Sequence, residues 1–136
     1  MRRDPLTVLR RVRDAAVVEA TRELAGGLQR EQAGRQRLVE HNETMRREQA
    51  EAGAAAAVDF AAWLPHARAI ARGNARSLAA EEERVGRLRQ ALLVKRTEAS
   101  AVEKAMERRQ AAVSLDRSRR EQAAMDEAAG RRRLGR

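Results

Sequence analysis

Cysteine and tyrosine are absent from this 136-residue sequence, which has one phenylalanine, one tryptophan and two prolines. Without cysteine, the chain has no disulfide, no thiolate metal site and no cysteine nucleophile. It also lacks a run of about 18 apolar residues, so no membrane-spanning helix is predicted. The opening MRRDPLTVLRRVR is basic but lacks the continuous apolar stretch of a secretory signal. We therefore expect a cytoplasmic protein.

Charged residues make up 36% of the chain, and alanine, arginine, glutamate and leucine are the commonest residues. This composition lacks the bulky side chains of a globular core but suits long helices. It is also compatible with disorder, because high charge and low hydrophobicity prevent collapse. The periodicity of the apolar residues decides between the two.

The first predicted helix begins at Pro5, where a missing N–H is harmless, with Asp4 as its cap. A ladder with a spacing of seven follows: Val17, Leu24, Glu31, Leu38, Met45 and Ala52. The partner positions of this ladder, such as Leu28, Arg35 and Asn42, are mostly polar. The pattern predicts a narrow and weakly apolar seam.

The second predicted helix has the stronger heptad pattern. Its ladder is Leu78, Val85, Leu92, Ala99, Met106 and Val113. Leu88 and Val102 fall three residues after two of these and complete the alternating spacing, while Lys95 and Arg109 interrupt it. An apolar stripe sustained over about five heptads favours a coiled coil over disorder.

Between the two ladders lies EAGAAAAVDFAAWLPHAR, in which Gly53 can end the first helix. Neither helix can bury its stripe alone, and the turn separates two stripes of similar length. We therefore predict an all-α single domain in which two long helices form an antiparallel coiled-coil hairpin. The expected boundaries are helix one at about 5–56, tip at about 57–65, helix two at about 66–129 and a basic tail at 130–136. Gly26 and Gly27 interrupt helix one, either as a hinge or close helix approach or as a tolerated weak spot.

The net charge of +9 is concentrated near the chain ends. Residues 1–13 carry +4 and residues 108–136 carry +5, while the span between them is neutral. A hairpin brings the two basic segments together and so favours an acidic partner, such as nucleic acid, anionic lipid or an acidic protein surface. The arginines lack interleaved aromatics and zinc-finger spacing, so specific nucleic-acid binding is not expected. A solvated charged face is the simpler alternative.

Catalysis finds no support in the sequence. His41 and His66 are the only histidines, and neither has a metal-ligand companion at helical spacing. Glu81, Glu82 and Glu83 fan around a helix, and no glycine-rich phosphate loop is present. We expect a protein that is not an enzyme and has no metal and no cofactor.

The two aromatic rings lie beside Pro65 in the predicted tip. One helical face would present Trp63, Ala67 and Ile70, and another register would present Phe60, Leu64 and Ala67. These side chains either pack the turn or anchor a partner protein, because tryptophan is enriched at binding hot spots.

The opening MRRDPLTVLRRVRDAAVVEATRELA, with its Pro-Leu and Leu-Arg pairs followed by acidic and alanine-rich positions, resembles the start of FliJ proteins. The resemblance extends over the whole chain by length and architecture. It implies a non-catalytic stalk of the flagellar type III export apparatus, at the cytoplasmic face of the membrane. The implied partners are the hexameric export ATPase, the cytoplasmic domain of the export gate and export chaperones.

The resemblance also implies two binding surfaces. The gate contact would comprise Phe60, Trp63, Leu64, Ala67 and Ile70. The contact with the ATPase ring would comprise Arg10, Arg11, Arg13, Arg117, Arg119 and Arg120. The alternatives are the equivalent stalk of an injectisome and a generic basic coiled-coil scaffold or nucleic-acid-binding protein.

Overall fold

The computed structural model describes residues 4–135. Helix α1 spans Pro5–Glu51, a short 3-10 helix spans Ala54–Ala56, and helix α2 spans Ala57–Leu134. No strand occurs among the described residues. The two helices pair in an antiparallel manner, which confirms the predicted all-α coiled-coil hairpin. Two compact units are present, one of Met1–Ala15 with Arg96–Arg136 (the basic unit) and one of Ala16–Lys95 (the turn unit).

The start of α1 is where the sequence predicted it. Asp4 precedes the helix, its carboxylate accepts hydrogen bonds from the backbone N–H of Leu6 and from the Thr7 hydroxyl, and Pro5 is the first helical residue. The Asp4 cap therefore satisfies an amide that has no partner within the helix.

The predicted boundaries at the turn are wrong. Helix α1 ends at Glu51 rather than near residue 56, and residues 57–65, predicted as the tip, are already the first turns of α2. Ala57 begins a run rich in good helix formers, and Asp59 in its first turn complements the positive end of the helix dipole. Pro65 consequently lies inside α2 and does not start it.

The tail predicted at residues 130–136 is also wrong, because α2 continues through Gly130 to Leu134. Arg131 bonds to the Glu127 carboxylate one turn earlier, and Arg131, Arg132 and Arg133 occupy the last turn. Cations at this position interact favourably with the helix dipole, which offsets the cost of a helical glycine, about 1 kcal/mol.

In the turn unit, the α2 ladder is packed as predicted, with Val85 1% and Leu92 6% exposed. The α1 side differs from the prediction. Its second seam position lies three residues after each ladder residue, where Gly27 and Gly34 are buried, and not at Leu28 or Arg35. Small residues at these positions let the two helices approach closely.

The two glycines at positions 26 and 27 have different surroundings. A Cβ on Gly27 would lie 2.8 Å from Leu88 Cδ1 and 3.4 Å from Val85 Cγ2. A Cβ on Gly26 would meet only the Arg30 side chain, at 3.5 Å. Gly27 therefore lies at a close approach of the two helices, whereas Gly26 does not.

Polar contacts flank the seam of the turn unit. Arg35 bonds to Glu82 at 3.3 Å and Arg30 bonds to Glu81 at 3.4 Å. His41 Nε2 lies 2.7 Å from the carbonyl oxygen of Ala67. These pairs join residues 47, 51 and 26 positions apart, as expected for antiparallel helices.

In the basic unit, the pairing of the helices is shorter. Val102 is buried, and Arg13 bonds to Glu98 at 2.6 Å. Every residue of α2 from 107 to 129 is exposed, including Val113 at 58%. Val113, the last predicted ladder residue of α2, is therefore not buried in a seam.

Candidate functional site

The two aromatic residues lie on the first turns of α2 and contact each other. The ring centroids of Phe60 and Trp63 are 5.7 Å apart, with an angle of 43° between the ring planes. Both side chains are half-buried. Part of each side chain is therefore packed against the rest of the turn unit, and part remains accessible to solvent.

Phe60 separates two hollows of the turn unit. The larger hollow, of about 560 Å³, has Trp63 in its wall together with Thr44, Glu48, Glu51 and Asp59. The smaller hollow, of about 300 Å³, is lined on the other side of Phe60 by Met45, Leu64, Arg46 and Arg68, among others. We call the first the acidic hollow and the second the arginine hollow.

The predicted tip residues do not share one exposed face. Ala67 is 1% exposed and lies in the seam, where its carbonyl oxygen receives the His41 contact. Leu64 is half-buried, and Ile70 is 42% exposed. Ala67 thus belongs to the seam, Phe60, Trp63 and Leu64 are partly covered, and Ile70 faces solvent.

Glu48, Glu51 and Asp59 were not predicted as neighbours of the rings. Thr44, Glu48 and Glu51 follow one another at spacings of four and three, so they share one face of α1. The sequence shows this spacing. It does not show that this face of α1 lies opposite Trp63, because that position depends on α1 ending at Glu51.

Most of the arginines predicted to form a basic surface have an acidic neighbour. Arg117 bonds to Glu121 at 2.9 Å, and Arg120 bonds to Asp116 at 2.8 Å. Such exposed pairs contribute little to stability, but each partly neutralises its arginine.

Closer to the N-terminus, Arg13 bonds to Glu98, and Arg10 lies 4.0 Å from Asp14. Arg11 and Arg119 are exposed and have no ion pair within residues 4–135. The excess charge of this unit is nevertheless large, since it has sixteen basic and nine acidic residues, whereas the turn unit has thirteen and eleven.

The Asp4 carboxylate has a lowered pKa. The hydrogen bond from Arg109, which in the sequence interrupts the heptad pattern of the second helix, holds the pKa of Asp4 below its ordinary value of 3.8. The hydrogen bonds from Thr7 and the Leu6 backbone act in the same direction. Asp4 is therefore ionised throughout the neutral range.

Within residues 4–135, no group of three His, Cys, Asp or Glu side chains has a geometry that could hold a metal ion. No helix in that range is both long and apolar enough to cross a membrane. The features that the structure offers are therefore surfaces: two hollows beside an aromatic pair, and a strongly basic unit with an exposed helical segment.

Comparison with known protein families gives one result that covers the whole chain. The model of the family described as Flagellar FliJ protein matches residues 1–136. No curated protein and no solved structure matches the chain.

Proposed function

Because the chain belongs to the FliJ family, whose members are non-enzymatic components of the flagellar export apparatus, we propose that it acts as a stalk that associates with the hexameric export ATPase and links it to the export gate. The whole-chain family match carries this proposal. The action is mechanical and electrostatic, since the stalk transmits binding between partners and performs no chemistry. We propose that it works in the cytoplasm, peripherally at the cytoplasmic face of the membrane, and that it also escorts export chaperones.

We assign the gate contact to the aromatic region of the turn unit. Phe60, Trp63 and Leu64 are half-buried, and Ile70 is 42% exposed. An apolar cluster that is partly accessible on a highly charged protein is typical of a docking surface. Ala67 supports this surface from within the seam and does not touch the partner.

We assign the ATPase contact to the basic unit. Its net charge of +7 would attract acidic loops of the ATPase ring and accelerate their encounter. Arg11 and Arg119 are the strongest candidates of the predicted set, because no carboxylate in the described part of the chain neutralises them. Arg10, Arg13, Arg117 and Arg120 would exchange an internal ion pair for one with the ring.

The experiment is a titration of the export ATPase from the same organism with this protein, with ATP hydrolysis as the readout. We expect hydrolysis to increase and to saturate. Arg11→Gln together with Arg119→Gln would raise the concentration needed for half of the effect by about three- to tenfold, which corresponds to one or two exposed ion pairs. Arg72→Gln together with Arg76→Gln, two exposed arginines of the turn unit, serves as the charge-matched control and should change nothing. Absence of any effect of the unmodified protein on the ATPase would refute this half of the proposal.

A further inference from the structure

The acidic hollow has an unusual combination of groups for the end of a helical hairpin. Two aromatic rings lie beside three carboxylates, those of Glu48, Glu51 and Asp59. No basic side chain lines this hollow, and none of the three carboxylates has an ion pair within residues 4–135. Like charges around one cavity repel one another, so a cation entering it is attracted by all three.

The kind of cation is limited by the geometry. Glu48, Glu51 and Asp59 do not form a group that could hold a metal ion. The hollow, at about 560 Å³, is in the size range of sites for organic groups. A broad, planar cation fits such a spread of carboxylates better than a metal ion, because its donors point in several directions.

The aromatic pair selects further among organic cations. Phe60 and Trp63 are tilted by 43° with centroids 5.7 Å apart, and each keeps part of its ring accessible. A guanidinium group stacks on the face of tryptophan more favourably than on any other side chain. The same group donates paired hydrogen bonds to a carboxylate.

We propose that the acidic hollow binds an arginine side chain carried by a segment of a partner protein. The guanidinium would stack against Trp63, and its N–H groups would donate to the carboxylates of Glu48, Glu51 and Asp59. That this partner is the export gate rests on the proposed function. The arginine chemistry rests on the hollow alone.

The arginine hollow gives the bound segment a direction. Arg46 and Arg68 lie on the opposite side of Phe60 and would repel a second cation. A segment that crosses Phe60 would therefore place its arginine on the Trp63 side and an acidic or apolar residue on the Leu64 side. Recognition would depend on the order of charges along the segment as well as on their number.

The first test uses Trp63 as the reporter, since it is the only tryptophan of the chain. The full chain is titrated with an acetylated, amidated pentapeptide that has arginine at its centre and leucine on either side. The matched control peptide has citrulline, which keeps the shape of arginine but lacks its charge. We expect a saturable change of the Trp63 emission with a dissociation constant at least about fivefold lower for the arginine peptide, as one partly desolvated cation–π contact and ion pair would give. Equal responses to the two peptides, or no saturation at ~10 mM peptide, would overturn the proposal.

The second test removes the carboxylates. Glu48→Gln with Glu51→Gln should weaken binding of the arginine peptide by about five- to tenfold. Glu40→Gln with Glu43→Gln is the matched control, since these exposed residues have the same spacing on α1 and lie outside the hollow. Far-UV circular dichroism verifies that both variants are folded. Identical affinity of the two variants for the arginine peptide would contradict the assignment.

The gate domain distinguishes the two proposals. If it binds the full chain and the Glu48→Gln, Glu51→Gln variant equally well, the gate does not use the acidic hollow, while the export function stands. If the arginine peptide binds selectively but the gate domain does not bind, the hollow is confirmed as an arginine site and its assignment to the gate is wrong.

Discussion

Arg109 donates a hydrogen bond of 2.6 Å from Nη1 to Oδ1 of Asp4, although the two residues are 105 positions apart in the sequence. Asp4 is at the same time the residue that caps α1. The interhelical ion pair and the helix cap of the basic unit therefore share one carboxylate.

The shared carboxylate leads to a prediction about titration. Replacing Arg109 with glutamine removes the main cause of the lowered pKa, so the pKa of Asp4 should rise toward 3.8. Its folded-state pKa lies below the unfolded one. The stability that Asp4 contributes is therefore fully present above about pH 3.8 and is lost as the pH falls through the folded-state pKa. Carbon-detected NMR of the Asp4 carboxyl measures the shift. Arg108→Gln, one position away, is the control, and an equal shift in both variants would argue against the pair.

The two adjacent glycines of α1 should respond in opposite directions to alanine. Gly26→Ala should raise the free energy of unfolding by about 1 kcal/mol, because alanine has the higher helix propensity and the new methyl group meets only Arg30. Gly27→Ala should lower it by about 1 kcal/mol, since the methyl group would lie 2.8 Å from Leu88 Cδ1 and overpack the seam. Urea denaturation measures both values.

The cost at Gly27 should depend on Leu88. In a Leu88→Ala background, which removes the clashing Cδ1, Gly27→Ala should become neutral or stabilising. If Gly27→Ala is as stabilising as Gly26→Ala in the unmodified chain, the helices do not approach closely at this position.

The contact between His41 Nε2 and the Ala67 carbonyl, at 2.7 Å, should contribute to stability. His41→Ala removes this hydrogen bond and should lower the free energy of unfolding at pH 8 by about 1 kcal/mol. His66→Ala is the matched control, because His66 is exposed and the change should stay within about 0.5 kcal/mol. Equal effects of the two substitutions would mean that the His41 contact does not contribute to the free energy of unfolding.

The exposed C-terminal part of α2 should be dispensable for folding. Truncation after Gln110 retains both the Arg109–Asp4 pair and the buried Val102. The residues removed are exposed almost throughout, so the free energy of unfolding should change by less than about 0.5 kcal/mol. A marked fall in thermal stability would show that this segment packs against another part of the molecule.

The fold class was predictable from the sequence because apolar residues repeat at heptad spacing wherever one side of a helix is buried. Leu78, Val85 and Leu92 form a stripe at helical spacing, and the structure packs that stripe against α1. The α1 seam was not predictable in the same way, because Gly27 and Gly34 carry no apolar signal. Their role depends on the side chains of the opposite helix, which a linear pattern does not display.

The turn was the least predictable part, and the candidate site lies there. Pro65 suggested a helix boundary, but the alanine-rich stretch from Ala57 begins α2 well before it. The sequence therefore drew attention to the aromatic residues but not to the acidic groups around them. Glu48 and Glu51 become neighbours of Trp63 only because α1 ends where it does.

Docking of the aromatic region of the turn unit onto the export gate is tested by titrating the Trp63 emission with a tryptophan-free cytoplasmic domain of the gate from the same organism. We expect an emission of intermediate wavelength in the free protein, because Trp63 is half-buried, and a saturable shift to shorter wavelength as the gate domain covers the ring. An emission that does not change over the whole titration would mean that this region does not dock onto the gate and that the two rings serve only to pack the turn.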